Sequence, residues 1–215
     1  MLHVRACNPR NPFLLPLEST LIVWDSGGIC KLNFYDRDEV VRNVGDLLRG
    51  GDILCPVCLG LLKLHGCYQR HCLDEDGERH DGWVPESYCI ACDKYHAIIP
   101  SFIKPHKHYK VDVIERVVGE AEQGINVEDL GGCSADASTM RRWVREFKVR
   151  GRQAVSRLAS MLPAACGAHV GSPELQGTKL LQQLARLLHG YPTSESVGVI
   201  GKVNIILTRK DSGFL

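Results

Sequence analysis

Two Cys-x-x-Cys pairs are the residues of this chain whose spacing most clearly implies chemistry. They are Cys55-Pro56-Val57-Cys58 and Cys89-Ile90-Ala91-Cys92, with thirty residues between them. One pair can place two sulfurs on one side of a metal ion, and a second pair then completes the tetrahedron that zinc prefers. Two redox dithiols are the alternative, but pairs that flank a predicted hairpin favour a zinc ribbon.

The predicted site is structural, because four thiolates leave no open coordination position on Zn²⁺. Its predicted ligands are Cys55, Cys58, Cys89 and Cys92. Five nearby residues could replace a sulfur ligand, and we expect none of them to do so, because four sulfurs already fill the coordination shell. These five residues are His65, His71, Cys72, His80 and His96.

A second group of residues predicts a helix with one apolar and one cationic side. Met140, Trp143, Val144 and Phe147 recur at helical spacing. Arginine can bind guanine edges in the major groove, and serine or threonine can bind phosphates. We therefore predict binding to double-stranded DNA, although an ordinary amphipathic surface helix would show the same stripe. The predicted DNA contacts are Ser138, Thr139, Arg141, Arg142, Arg145 and Lys148.

The elements that must position these residues indicate an α+β fold. The order of a first helix, a short second helix, a glycine-containing turn and the basic helix is typical of a helix-turn-helix. Asp136 is the expected N-cap of the basic helix. The predicted strands cover residues 21–24, 61–73, 83–89 and 95–99, and the predicted helices 36–49, 111–122, 126–130, 136–148, 153–162 and 174–188, while 197–207 fits either.

We divide the chain into four regions on these patterns. A small N-terminal strand-helix element covers residues 1–52 and the zinc ribbon 53–103. The helix-turn-helix covers 104–150, and a C-terminal helical region covers 151–215. A hairpin of about 45 residues is too small for a sufficient apolar core, and zinc binding of about 10 to 16 kcal/mol would replace that core.

Composition excludes several classes of protein. The 215 residues are 44% hydrophobic and 24% charged, which is ordinary for a globular chain and argues against wholesale disorder. The longest apolar candidate, residues 197–207, is too short and too interrupted to span a membrane. The N-terminus lacks the apolar segment of a secretion signal. We therefore expect a cytoplasmic protein. The net charge of the chain is only +1, but seven basic side chains lie between Arg141 and Arg157.

Several of these strings resemble an uncharacterised bacterial family that joins a zinc ribbon to a helix-turn-helix. The resemblance covers about residues 20–148 and includes the two cysteine pairs, residues 62–70, 96–102 and 138–143. The family is similar to the N-terminal region of several insertion-sequence transposases. The resemblance implies DNA binding related to mobile elements. This chain departs from the common pattern at Leu59, where the first knuckle usually has glycine.

The sequence offers no good location for catalysis. A transposase needs three separated carboxylates that hold two metal ions. Only 67 residues follow Lys148, and their acids are Glu174, Glu195 and Asp211. A nuclease domain is usually over about a hundred residues long, so we expect a DNA-binding protein without a catalytic domain, either mobile-element related or a transcriptional regulator.

Two alternatives remain open from the sequence. The chain could be an adaptor that binds a protein such as a transposase, with an apolar helix face of Leu181, Leu184 and Leu188 as its surface. It could also be the N-terminal remnant of a larger transposase. In the leading hypothesis, the C-terminal helices pack on the core or mediate a homodimer, which would double the groove contacts.

Overall fold

The computed structural model describes the backbone of residues 20–24 and, in addition, residues 35–104, 106–161, 179–189 and 198–208. The fold is α+β, as the sequence predicts. Among the described residues, no helix is both long and apolar enough to cross a bilayer. The elements are β1 Thr20–Trp24, α1 Arg37–Gly50, β2 Leu62–Leu73, β3 Arg79–Cys89, β4 Lys94–Pro100, α2 Val111–Glu122, a 3-10 turn Val127–Asp129, α3 Ala137–Met161, α4 Leu180–Leu187 and α5 Val199–Thr208.

The strands form one sheet in the order β1-β4-β3-β2. β2, β3 and β4 are antiparallel, and β1 pairs with β4 in parallel. An acidic turn joins β2 to β3, and in it the side chain of Asp74 accepts a hydrogen bond from the N–H of Glu78 at 2.8 Å. Gly77 has a φ of 82°, which glycine adopts without strain. The sequence therefore predicted this hairpin correctly.

α1 covers the face of the sheet next to the cysteine pairs. Its N-cap is Asp36, whose carboxylate accepts hydrogen bonds from the N–H groups of Asp38 and Glu39. Val40, Val44 and Leu48 are buried on one side of the helix, at the spacing the sequence predicts. They share a core with sheet residues that include Cys55 and Cys89. The sheet is thus not an isolated hairpin, because α1 gives it an apolar core.

The opposite face of the sheet is covered by α5. Ile205 of α5 shares a core with Cys72, Val84, Ile99 and Ile103. The sheet therefore lies between two helices that are about 150 residues apart in the chain. Residues 197–207 were compatible with strand or helix, and the described part of this segment is helical.

A separate helical core joins α2, α3, α4 and α5. It contains Trp143, Phe147 and Leu158 from α3 together with Leu184 and Leu188. The residues suggested for an adaptor surface therefore do not form an exposed face. Leu184 and Leu188 are buried, and Leu181 packs partly against this core. The amphipathic pattern of α4 reflects packing inside the protein.

Two helix predictions differ from the structure. α3 runs without a break from Ala137 to Met161, past the predicted end at Lys148 and past residue 150, where the sequence suggested a boundary. Gly151 is buried there because Leu180 lies so close that a Cβ would be 2.6 Å from its Cδ2 atom. The glycine permits the approach of α4 and does not end the helix.

The predicted short second helix is a single 3-10 turn, Val127–Asp129. The side chain of Asn126 does not cap it, and instead contacts the carboxylate of Asp129 at 3.3 Å. A 14-residue segment, 123–136, therefore connects α2 to α3. Arg116 of α2 supports this segment through hydrogen bonds to the carbonyl oxygens of Gly131 and Gly132.

Candidate functional site

The first cysteine pair forms a tight turn closed by backbone hydrogen bonds. The N–H of Cys55 donates to the carbonyl oxygen of Gly60 at 2.9 Å, and the N–H of Leu59 donates to the carbonyl oxygen of Cys55 at 2.9 Å. Leu59 follows the second cysteine and has a φ of 59°, in the left-handed region. The turn places both sulfurs on its inner side, although its left-handed position is occupied by a leucine.

The second cysteine pair has the same backbone design. Asp93 follows Cys92 and has a φ of 55°. Aspartate tolerates this region better than leucine because its short polar side chain can bond locally, and the hydroxyl of Tyr88 donates a hydrogen bond to Asp93 at 2.7 Å. The N–H of Cys92 bonds to the sulfur of Cys89. The two turns are therefore related structures that face each other.

The four predicted ligands lie together. The sulfurs of Cys55 and Cys92 are 3.5 Å apart, those of Cys58 and Cys89 are 3.4 Å apart, and all four lie within 4.8 Å of one another. A disulfide would require about 2.05 Å. A zinc–sulfur bond of about 2.3 Å places tetrahedral sulfurs about 3.8 Å apart. These distances fit a metal ion bound by four cysteines.

Gly60 is required by the close approach of the two turns. A Cβ atom at this position would lie 3.2 Å from the sulfur of Cys58, 3.3 Å from Cβ of Ala91 and 3.6 Å from the sulfur of Cys89. Its N–H also bonds to the sulfur of Cys58. Gly60 thus lets two turns from distant parts of the sequence meet at the cluster.

The electrostatics of the cluster also favour a cation. Burial raises the pKa of Cys89, but hydrogen bonds from the Cys92 N–H and neighbouring sulfurs outweigh burial and lower this pKa to about 7. Burial and the adjacent sulfurs raise the pKa of Cys92 to about 12. Four thiolates at these distances repel one another, and a divalent cation between them removes this repulsion.

Of the five residues that could replace a sulfur ligand, His96 is the one that lies beside the cysteine cluster. Its Nε2 atom is 3.3 Å from the sulfur of Cys55, and its ring is fully buried. The hydroxyl of Ser87 donates a hydrogen bond to the His96 carbonyl oxygen at 3.1 Å. An N–H at Nε2 would stabilise the Cys55 thiolate. The strand alternation that aims this ring at the sulfur becomes visible only when β3 and β4 are paired.

The other four candidate substitutes lie in different contacts. His65 packs edge-on against Tyr95, and His71 stacks with the ring of His108. His80 is hydrogen-bonded to Asp74, and Cys72 is buried on the face of the sheet that α5 covers. None of these four belongs to the four-sulfur group among the described residues.

A comparison with known protein families matches this part of the chain. Residues 55–143 match the model of a family described as a domain of unknown function (DUF6431). The match begins at Cys55, contains all four cysteines and ends at Trp143 within α3, and it covers less than half of the chain. No curated protein and no solved structure has a significant match. The matched region thus contains both the four-cysteine cluster and the start of α3.

The start of α3 is fixed by Asp136. Its carboxylate accepts a hydrogen bond from the N–H of Thr139 at 2.9 Å, and its carbonyl oxygen accepts one from the N–H of Met140. The hydroxyl of Ser138 also donates to this carboxylate. These hydrogen bonds lower the pKa of Asp136. Ser138 and Thr139, two predicted DNA contacts, therefore also take part in capping α3.

The predicted cationic residues of α3 have two different environments. Arg141 forms an ion pair with Glu128 of the 3-10 turn, with Nε 2.7 Å from the carboxylate. Its hydrogen bond lowers the pKa of Glu128. Arg142, Arg145 and Lys148 are exposed and take part in no ion pair within the described ranges. Arg141 is thus occupied, whereas the next three cations face solvent.

The basic surface continues beyond the family match. Arg150 and Arg152 are exposed further along α3, also without an ion pair in the described part of the chain. Lys107 forms an ion pair with Glu146 at 2.6 Å. Near that pair Lys104 is buried, and burial together with the charge of Lys107 lowers its pKa to about 8. No sequence signal singled out Lys104, because its burial depends on tertiary packing.

Proposed function

We propose that the chain is a DNA-binding protein in which a structural Zn²⁺, held by Cys55, Cys58, Cys89 and Cys92, stabilises the sheet and α3 lies in the major groove. The metal proposal is supported by sulfurs at tetrahedral spacing and by the buried His96 beside one of them. Zn²⁺ would supply charge neutralisation and a crosslink between the two turns, with no open position for catalysis.

The single observation that carries the DNA proposal is the set of exposed cations on α3. Met140, Trp143 and Phe147 bury one side of the helix. The other side presents Arg142, Arg145 and Lys148 to solvent with no acidic partner among the described residues. A helix anchored in this way fits a groove about 12 Å wide, and its cations can displace the counterions of DNA phosphates.

The elements that precede α3 and pack against it differ from those of a standard helix-turn-helix. A second α-helix would normally precede the recognition helix after a short turn. Here a 3-10 turn and the 123–136 segment occupy that place, and α2 and α4 pack against α3. We propose that α3 alone enters the groove. The resemblance to transposase N-terminal regions supports mobile-element DNA as the target, and a transcriptional regulatory site is the alternative target.

The proposal is tested by fluorescence anisotropy with a duplex of about 30 base pairs in a salt series. Replacing both Arg142 and Arg145 with glutamine should weaken binding at least about tenfold. It should also make the negative slope of log K against log salt shallower by about 2. Arg42→Gln, at an exposed position of α1, is the matched control and should change neither quantity. Equal affinity and slope for the double variant would contradict the proposal.

Arg141 provides a complementary test in the opposite direction. Glu128→Gln removes one negative charge and releases Arg141 from its ion pair. We expect this variant to bind DNA about two- to tenfold more tightly, because an additional cation becomes available beside Arg142 and Arg145. Unchanged binding would indicate that the N-terminal end of α3 does not contact DNA.

A further inference from the structure

An apolar surface lies at the end of the sheet that carries the metal cluster. Five aliphatic side chains there are between 40% and 70% exposed, and they are five of the eight large apolar residues exposed in the described part of the chain. We call this surface the knuckle patch. It consists of Leu54, Val57, Leu59, Leu61 and Ile90.

The members of the knuckle patch are held next to one another. Leu54 and Leu61 are bridge partners at the base of the first turn, and Val57 and Leu59 lie between them. The second turn, which carries Ile90, contacts the first where Ala91 approaches Gly60. The cysteine sulfurs point inward from both turns, so the intervening side chains point outward.

Leu59 indicates that this exposure has a purpose other than folding. Its side chain is 70% exposed and its φ is 59°, where a leucine carries backbone strain. An exposed leucine at this position adds nothing to the core, and glycine or asparagine would fit the backbone better. The structure therefore retains an apolar side chain at a surface position where it is locally unfavourable.

The composition of the patch excludes a nucleic-acid surface. No lysine or arginine occurs in residues 54–61 or 89–92, whereas binding to phosphates needs cations. The exposed cations of α3 belong to a different element. A partner of the patch must itself be apolar.

Its area fits a second copy of this chain. The five exposed fractions together equal about three fully exposed aliphatic residues, which is on the order of 500 Å² and at the upper end for a monomer. Two such patches facing across a two-fold axis would bury about 1,000 Å², the lower limit for a specific interface. We propose that the knuckle patch is the homodimer interface of this protein.

The test is sedimentation equilibrium of the zinc-loaded full chain up to about 100 µM, at low salt and at about 1 M salt. The wild-type chain should dimerise in both conditions, because an apolar contact is not weakened by screening. The double variant Leu59→Asn and Ile90→Thr should raise the dimer Kd at least about tenfold. Asparagine tolerates a positive φ, so the first turn keeps its conformation.

The matched control is Val149→Thr, an exposed apolar residue of α3 outside the patch, and its dimer Kd should equal that of the wild type. Zinc content and thermal unfolding establish that each variant is folded. A wild-type chain that stays monomeric at the highest concentration would overturn the proposal. So would a dimer that dissociates at high salt, or one that the double variant leaves unchanged. None of these outcomes depends on DNA binding.

Discussion

Leu59 and Asp93 occupy equivalent positions after the two cysteine pairs, and they differ in the backbone strain that the position imposes on them. Both have a positive φ, but only the leucine lacks a polar group that stabilises this conformation. Relief of left-handed strain is worth about 1 to 2 kcal/mol, and the added freedom of an unfolded glycine offsets about 0.5 to 1 kcal/mol. Leu59→Gly should therefore raise the free energy of unfolding by about 0.5 to 1 kcal/mol.

The measurement is urea unfolding of the zinc-loaded chain at a concentration where wild type and variant have the same oligomeric state. Asp93→Gly is the comparison variant. Its free energy of unfolding should increase less than that of Leu59→Gly, because the hydroxyl of Tyr88 already donates a hydrogen bond to the Asp93 carboxylate. A loss of stability in Leu59→Gly would show that the leucine side chain contributes to folding.

At the residue scale, the sequence predicted which four cysteines lie together, because Cys-x-x-Cys spacing encodes the geometry of each pair locally. It did not predict the approach of His96 to Cys55, which depends on the register Ser87↔His96 between β3 and β4. It also did not predict the Arg141–Glu128 ion pair, because the 3-10 turn that carries Glu128 was expected to be α-helical. Long-range pairing decides both contacts.

At the element scale, two carboxylates of α2 bind the N-terminal ends of both C-terminal helices. These carboxylates lie about two helical turns apart on α2. Glu122 accepts hydrogen bonds from the N–H groups of Leu180 and Leu181 at the start of α4. Glu115 accepts them from Val199 and Ile200 at the start of α5. The two acids satisfy backbone donors that neither helix can satisfy itself.

Glu115 should make the stability depend on pH. Burial raises its pKa above 4.5, and the N–H donors of Ile200 and Val199 offset only part of this increase. The folded state therefore binds more protons than the unfolded state, so stability from this group grows as pH falls through the folded pKa toward 4.5 and is lost as pH rises. Relative to Glu115→Gln, the wild type should gain stability as the pH falls from neutral toward 4.5.

This comparison is made by urea unfolding of both zinc-loaded chains across the pH range. The metal site is identical in the two proteins, so its own proton dependence cancels in the difference. The prediction would be contradicted if the difference in free energy of unfolding stayed constant with pH. It would also be contradicted if the difference changed in favour of Glu115→Gln as pH falls.

Element boundaries were predictable where local signals agree with tertiary packing. The helix predicted over residues 36–49 is α1, which Asp36 and Gly51 cap with the hydrogen bonds expected of such positions. Gly151 shows the opposite case, because the sequence cannot reveal that Leu180 packs against it. The identity of α5 as a helix also depends on packing, since its apolar pattern alone is compatible with a strand.

At the scale of the whole molecule, one sheet connects the metal cluster to the helical core. α1 covers the face next to the cysteines, and α5 covers the other through Ile205. The parallel pairing of β1 with β4 joins segments some 75 residues apart, which no local pattern specifies. The order of strands and helices was therefore predictable, whereas the layering that places α5 behind the sheet was not.

The central claim is that four sulfurs and one Zn²⁺ stabilise the sheet on which this arrangement depends. X-ray absorption with metal analysis of the purified full chain tests it most directly. We expect one zinc per chain with four sulfur ligands at about 2.3 Å, and loss of the β-sheet signal when a chelator removes the metal. A folded chain without metal, or a shell in which the His96 nitrogen replaces a sulfur, would contradict the account.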